Sequence, residues 1–213
     1  MQLASQLELQ KSLLSWIDGN LKNVPIPVNP QSELSIGCFD LALEHHAAIV
    51  LLADSRLFGS MFALMRVIYE AQMRGLWLRY CATTTQYEQY RKGRLDKEFG
   101  TLVKEIETAI GAPGSRLSRL KNNSWALMNS LTHTGSEQAL ARHSDGAIGG
   151  NYHEESVSAA LVLAGSFALM APIELATYAD QKELVNAILQ KADRKSTRLN
   201  SSHSTLSRMP SSA

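Results

Sequence analysis

Apolar residues recur at helical spacing along most of the chain, and no stretch alternates with period two. Leu3, Leu7, Leu14, Ile17 and Leu21 share one side of the first segment, with Trp16 beside them, and predict a helix over residues 3–22. Pro25, Pro27 and Pro30 then break the chain into an extended linker. Ser32 is placed to cap a second helix that carries Glu33 in its first turn and runs to about Ala53. Asp54 and Ser55 leave room only for a short turn before a third helix over about 56–80. So short a connection predicts an antiparallel pair.

Thr83, Thr84 and Thr85 mark a break, followed by shorter helices near 86–92 and 96–110. Gly111 to Gly114 ends the second of these, and Ser115 can cap a helix reaching about His133. Residues 134–151 are polar and rich in glycine, with one helical turn near 137–142. A long last helix starts near Tyr152. It carries Glu154 and Glu155 early, where the helix dipole favours them, and Pro172 is expected to kink it. The pattern describes an all-α fold: a single-domain antiparallel bundle of about six to seven helices, with no sheet and no internal repeat.

The end of the chain breaks this pattern. Asp193 to His203 reads as the translation of a short-read sequencing adapter, and Ser207 to Ala213 as its continuation. Ser204, Thr205 and Leu206 fall where a variable index would sit. Residues 1–192 are therefore read as the helical domain, and 193–213 as an artefactual tail expected to be disordered or unpacked. The sequence does not set whether the natural chain continues past Ala192.

The tail also changes the charge. Of 21 Lys+Arg and 20 Asp+Glu it holds four basic residues (Arg194, Lys195, Arg198, Arg208) and one acidic (Asp193). Without these five, residues 1–192 carry 17 against 19, a net charge of −2 in place of +1. A faintly acidic domain with no Lys/Arg run offers no electrostatic footprint for nucleic acid.

Cys38 and Cys81 lie inside apolar helical stretches and form neither a metal-ligand spacing nor a disulfide framework. Free thiols, together with a first segment that carries Glu8 and no continuous apolar core, are the pattern of a cytoplasmic protein without a signal peptide. Val157 to Ile173 lacks charge, but at the lower end of the roughly 17–25 residues of a membrane span. It is diluted by Ser158, Gly165, Ser166 and Pro172, so a buried bundle helix is expected there and no membrane span.

The third helix carries the candidate chemistry. On a wheel of about 100° per residue, Glu70 lies near 40° and Arg74 near 80° from Arg66. Met61, Leu64, Met65, Val67, Ile68, Tyr69, Leu76 and Leu78 cover most of the remaining circumference. A surface helix normally shows a broad polar face. This narrow ribbon suggests a central helix whose charges meet partners across the core. Asp40 and Glu44 on the second helix, Glu174 on the last, and His133 at the end of the sixth predicted segment are the candidate partners, and Gly135 can supply the left-handed cap beyond His133.

Two readings are open. In one, Arg66, Glu70 and Arg74 form an exposed i,i+4 ladder worth about 0.2–0.5 kcal/mol per pair. In the other, they join Asp40, Glu44, Glu174 and His133 in a buried network, where a charge without its partner would cost about 3–5 kcal/mol. His133 is a terminal histidine favoured by the helix dipole, or a general acid or base near neutral pH. His45 and His46 point to different faces, and of the two His45 is expected in the core.

Several chemistries lack their residues. There is no Glu-x-x-His pair for a di-iron bundle, no His-Glu-x-x-His, no phosphate-binding Gly-Lys-Ser/Thr loop, no Gly-x-Ser-x-Gly elbow and no Cys-x-x-Cys. No metal and no cofactor is expected.

The run from Cys38 to His46, the pattern Ala63 to Glu70 with Arg74 to Trp77, and Ser130 to Gly135 together resemble an uncharacterised bacterial all-helical family, domain of unknown function 6988. The resemblance covers most of residues 1–180 and implies an α-helical fold and a bacterial source. It brings no activity, cofactor or catalytic residue. A looser similarity is to helical nuclease-like domains of bacterial defence systems, which carry Arg, four to six residues, then His on one helix. Here Arg119 is too far before His133, and Arg142 is adjacent to His143.

The sequence thus favours a binding or regulatory module. The alternative is an enzyme acting on a phosphate-bearing substrate, RNA or a nucleotide. There Arg66 and Arg74 would bind the substrate anion, and Glu70 and His133 would be the catalytic pair, one orienting the arginines and the other moving a proton. The partner itself is not set. The Met-rich third helix and the long last helix offer either a homo-oligomer surface or ordinary core packing.

Overall fold

The computed structural model describes residues 3–111, 116–144 and 146–193. The expected cap Ser115 and the tail beyond Asp193 lie outside the described residues. Among them are nine helices: α1 (Leu3–Leu21), α2 (Glu33–Asp54), α3 (Phe58–Tyr80), α4 (Thr84–Arg91), α5 (Phe99–Ala109), α6 (Arg116–Thr132), α7 (Ser136–Leu140), α8 (Glu154–Tyr178) and α9 over 182–193. The fold is all-α. The only extended pairing described is a two-rung antiparallel ladder, with His143 opposite Ile148 and Ser144 opposite Ala147, inside the polar segment.

α3 is the central helix. It lies against α2 along most of its length and also meets α5, α6 and α8. Met61, Ile68, Tyr69, Met73 and Trp77 of α3 are almost fully buried, joined by Phe39, Ile49, Leu102, Ile106, Val157 and Leu161. A smaller core of Leu13, Ile17, Ala168, Leu169, Ala176 and Ile188 holds α1, α8 and α9 together. α2 and α8 are long and apolar enough to cross a membrane by composition alone, yet here both pack into the bundle.

Several helix ends differ from the sequence reading. Ser32 sits at the N-cap of α2 but makes no capping hydrogen bond. Its Oγ accepts from the Asn29 amide instead, and the Leu34 amide donates to Tyr87 Oη of α4 at 2.9 Å. Thr83 and Gln86 form a reciprocal capping box that starts α4 earlier than the apolar pattern suggests. At the start of α6 the buried Glu107 of α5 accepts from the Ser118 amide at 2.8 Å and from the Ser118 hydroxyl at 2.6 Å.

The last helix, expected as one piece, is divided. Asp180 adopts φ +51° and the Gln181 amide donates to Ala176 O, which closes α8 and starts α9. The same closure ends α2, where Arg56 has φ +57° and the Leu57 amide donates to Leu52 O.

His46, and not His45, is the core histidine. It is fully buried, with Nε2 3.1 Å from Gln10 Oε1 of α1, and Gln6 and Gln10 are buried beside it. His45 is half-buried at the flank of α2, where burial lowers its pKa and the neighbouring Glu44 partly restores it.

Candidate functional site

The charged ribbon of α3 exists as a ladder. Arg66 Nε donates to Glu70 Oε1 at 2.6 Å, and Arg74 Nη2 lies 3.7 Å from Glu70 Oε2. The side chains of Arg66, Glu70 and Arg74 are 22%, 21% and 33% exposed, between the two readings. The ladder is a half-covered strip with one edge open to water.

α6 covers the Arg66 end. Thr132 Oγ1 donates to Ala63 O at 3.1 Å, fixing the end of α6 against α3. His133 follows directly, and Arg66 Nη1 donates to its Nε2 at 2.6 Å. An arginine has no acceptor, so Nε2 is the acceptor here and the proton of the neutral ring lies on Nδ1. The guanidinium also lies over the Trp125 ring, 4.9 Å from its centroid. Trp125 stacks on Phe99 at 4.5 Å, Phe99 meets Tyr69 edge-on at 5.4 Å, and Tyr69 stacks on Phe167 at 5.1 Å. Arg66 therefore sits at the outer end of an aromatic stack that runs down to α8.

At the other end, Arg74 approaches Cys38 and Tyr90. Cys38 Sγ is 3.8 Å from Tyr90 Oη. Burial pushes the Cys38 thiol up and the Tyr90 hydroxyl up to about 12, with the Arg74 charge pulling both part of the way back. Neither group is set up as a nucleophile.

The remaining candidates do not join this ladder. Asp40 and Glu44 are exposed on the outer side of α2, among Leu41 and Leu51. The buried side of α2 is set by Ser35, Phe39, Ala42, His46 and Ile49, which turns both carboxylates away from α3. Glu174 belongs to a separate cluster. Arg79 Nη1 pairs with its Oε2 at 2.9 Å and donates to its backbone O at 2.8 Å, while Tyr80 Oη donates to Oε2 at 2.8 Å. Arg79 also lies 3.9 Å from the Tyr178 ring centroid, and Tyr178 Oη is 2.7 Å from Ser35 Oγ. Burial raises the Glu174 pKa in spite of Tyr80 and Arg79, which both act to lower it. On α3, Arg79 lies about 140° further round than Arg74, so one helix serves two charge clusters facing different ways.

The left-handed residue after α6 is Thr134, with φ +55°, and not Gly135, whose φ is −68°. The Gly135 amide donates to Ser130 O at 2.6 Å, closing the helix. Gly135 is needed for a different reason: a Cβ there would strike Ser130.

Thr134 also opens into a cleft of about 390 Å³ between the start of α3 and the segment 134–152. Gly59, Ser60, Gln138, Arg142 and Tyr152 line it with Thr134. A second cleft of about 360 Å³ is lined by Cys81, Lys104, Glu105 and their neighbours. There Glu105 accepts from Lys97 Nζ at 2.6 Å and from Trp77 Nε1 at 2.5 Å. Arg66, Glu70, Arg74 and His133 line neither cleft. Among the described residues no group of three or more His, Cys, Asp or Glu side chains is placed to hold a metal ion.

A family model matches residues 39–200, from the second turn of α2 onward, and takes in every candidate residue named above. The chain belongs to DUF6988, a family of unknown function. No curated protein and no solved structure matches it. For this DUF6988 chain the sequence reading found the ladder and His133, and missed Trp125, Arg79, Arg142 and Tyr152. Trp125 and Arg79 find their partners across helices, which no pattern within one helix marks. Arg142 and Tyr152 sit in the polar segment and at a helix start, where no periodicity marks them.

Proposed function

We propose that the chain is a binding or regulatory module and does not act as a catalyst. The observation that carries this reading is the contact between Arg66 and His133. A general base offers a lone pair to the proton it removes. Here the Nε2 lone pair already accepts from a guanidinium that stays charged at any ordinary pH. The larger of the two clefts supports the same reading, because among the described residues its lining has hydroxyls, an amide and a guanidinium but no histidine or carboxylate to move a proton. A cytoplasmic location belongs to this reading and draws on the two free cysteines.

The enzyme reading keeps one observation in its favour, the adjacency of Arg66 and His133 with Arg74 along the same strip. Its substrate would be RNA or a nucleotide held by the two arginines, with Glu70 orienting them. The full chain incubated with single-stranded RNA and with nucleoside phosphates separates the two. We expect no product above a buffer blank, and a raised Tm with at least one compound in a panel of small metabolites, since a ligand that binds only the folded state stabilises it. Product formed by the unaltered chain and lost in His133→Ala would overturn the binding reading.

A further inference from the structure

We propose that the cleft between the start of α3 and residues 134–152 seats a small molecule bearing a carboxylate or phosphate on a short apolar body. This rests on the binding reading and names its class of ligand.

The sign of the site comes first. Among the described residues Arg142 is the one charged residue in the lining, and its guanidinium has no ion-pair partner among them. Among the described residues no carboxylate lines the cleft to repel an anion or to neutralise Arg142. A guanidinium left open beside a concavity matches the planar oxygens of a carboxylate or phosphate.

Neutral donors accompany it. Tyr152 Oη is buried at the cleft and has no hydrogen-bond partner among the described residues. Its ring is held by Phe62, stacked at 5.4 Å, and by Phe58, edge-on at 6.2 Å, so the hydroxyl is fixed in direction. Ser60 and Thr134 add hydroxyls. Leu57, at the N-cap of α3, provides no side-chain cap, so the first-turn amides of α3 add their partial positive charge to the same side.

The shape is maintained by a missing side chain. A Cβ at Gly59 would come within 2.9 Å of Tyr152 Oη. Gln138 Nε2 donates to Gly59 O at 2.9 Å and holds α7 across the opening. Leu57 and Ala139 supply the apolar wall for the body of the ligand. At about 390 Å³ the cleft lies near the lower end of ligand pockets, which suits a small metabolite.

The test is an NMR titration of the ¹⁵N-labelled full chain with inorganic phosphate, acetate and butyrate at constant ionic strength. The expected result is saturable shifts centred on the Gly59, Ser60 and Thr134 amides. Butyrate should bind more tightly than acetate, and Arg142→Gln should weaken binding about tenfold or more. The separate phosphate and carboxylate arms show which oxyanion is taken. Arg142 is exposed, so its replacement leaves the fold intact, and unchanged amide positions elsewhere check this. Gly59→Ala should weaken binding as a second, uncharged variant. Absence of saturable shifts, or equal affinity in Arg142→Gln, overturns the proposal. Butanamide binding at the same amides as tightly as butyrate also overturns it, while leaving the binding reading in place.

Discussion

The guanidinium of Arg66 donates to Nε2 of His133, but its flat face and its Nε belong to Trp125 and Glu70. His133 is exposed, so His133→Ala removes one of three partners at the wet edge. We expect a loss below about 1 kcal/mol on chemical denaturation. Arg66→Ala removes the stack and the ion pair together and should cost about 1–2 kcal/mol. A larger loss in His133→Ala than in Arg66→Ala would mean that the histidine, and not the tryptophan, holds the arginine.

Gly75 of α3 lies under the Phe39 ring of α2, where a Cβ would come within 2.5 Å of the ring. Phe39 is fully buried and cannot move aside without disturbing the core. Gly75→Ala gains helix propensity but should still lose about 1–3 kcal/mol to overpacking. Equal or greater stability in urea would show that α2 and α3 have slack at this crossing.

Gln72 is fully buried on α3, and among the described residues neither its amide oxygen nor its nitrogen has a hydrogen-bond partner. Each such atom costs about 1–3 kcal/mol of lost hydration. Gln72→Met keeps the length and drops the polarity, so it should stabilise the chain by roughly that amount. A lower Tm would show that the amide is satisfied in solution.

Glu105 gives a pH signature. Burial acts to raise its pKa, but hydrogen bonds from Lys97 and Trp77, with the Lys97 charge, outweigh burial and hold it below the usual carboxylate range. A carboxylate depressed on folding adds stability above its unfolded pKa and loses that stability as pH falls through its folded value. Because Trp77 Nε1 donates to Glu105, the emission of Trp77 should change on the acid side of the ordinary carboxylate range. The change should be absent in Glu105→Gln. A transition at or above the ordinary value would contradict the pairing.

The adapter reading of the tail has its own consequence. A chain ending at Asp193 should melt within a degree or so of the full chain if residues 194–213 contribute no packing. A clear drop in Tm would show that they do, and sequencing the locus past the Ala192 codon would then be needed to explain why.

The helical wheel placed Arg66, Glu70 and Arg74 on one strip, and they do form one. A wheel gives angles around one helix and says nothing about which neighbour faces that angle. Asp40 and Glu44 could therefore be read as partners although α2 turns them outward, and Glu174 could be assigned to the ladder although Arg79 takes it. Helix ends were the least legible part. Sequence pointed to Ser32 and Gly135 as caps, whereas Tyr87, from 53 residues away, meets the start of α2, and Thr134 takes the left-handed position after α6. These choices are made by tertiary contact, which overrides local preference. The histidine pair shows the same limit. A rotation of about 100° decides whether His45 or His46 enters the core; His46 continues the buried stripe of Ser35, Phe39, Ala42 and Ile49, and Gln10 of α1 meets it there.

Gln10 and His46 also fix how α1 can dock. An interface of aliphatic side chains tolerates slippage, because one methyl contact is much like the next. Sliding α1 by one turn, about 5.4 Å, would take Gln10 off His46, and only the direction that brings the buried Gln6 into its place would leave the imidazole an amide partner. The two polar groups therefore act as a ratchet pawl. They add little to the strength of the joint, but they restrict α1 to settings that place a glutamine amide against the buried imidazole.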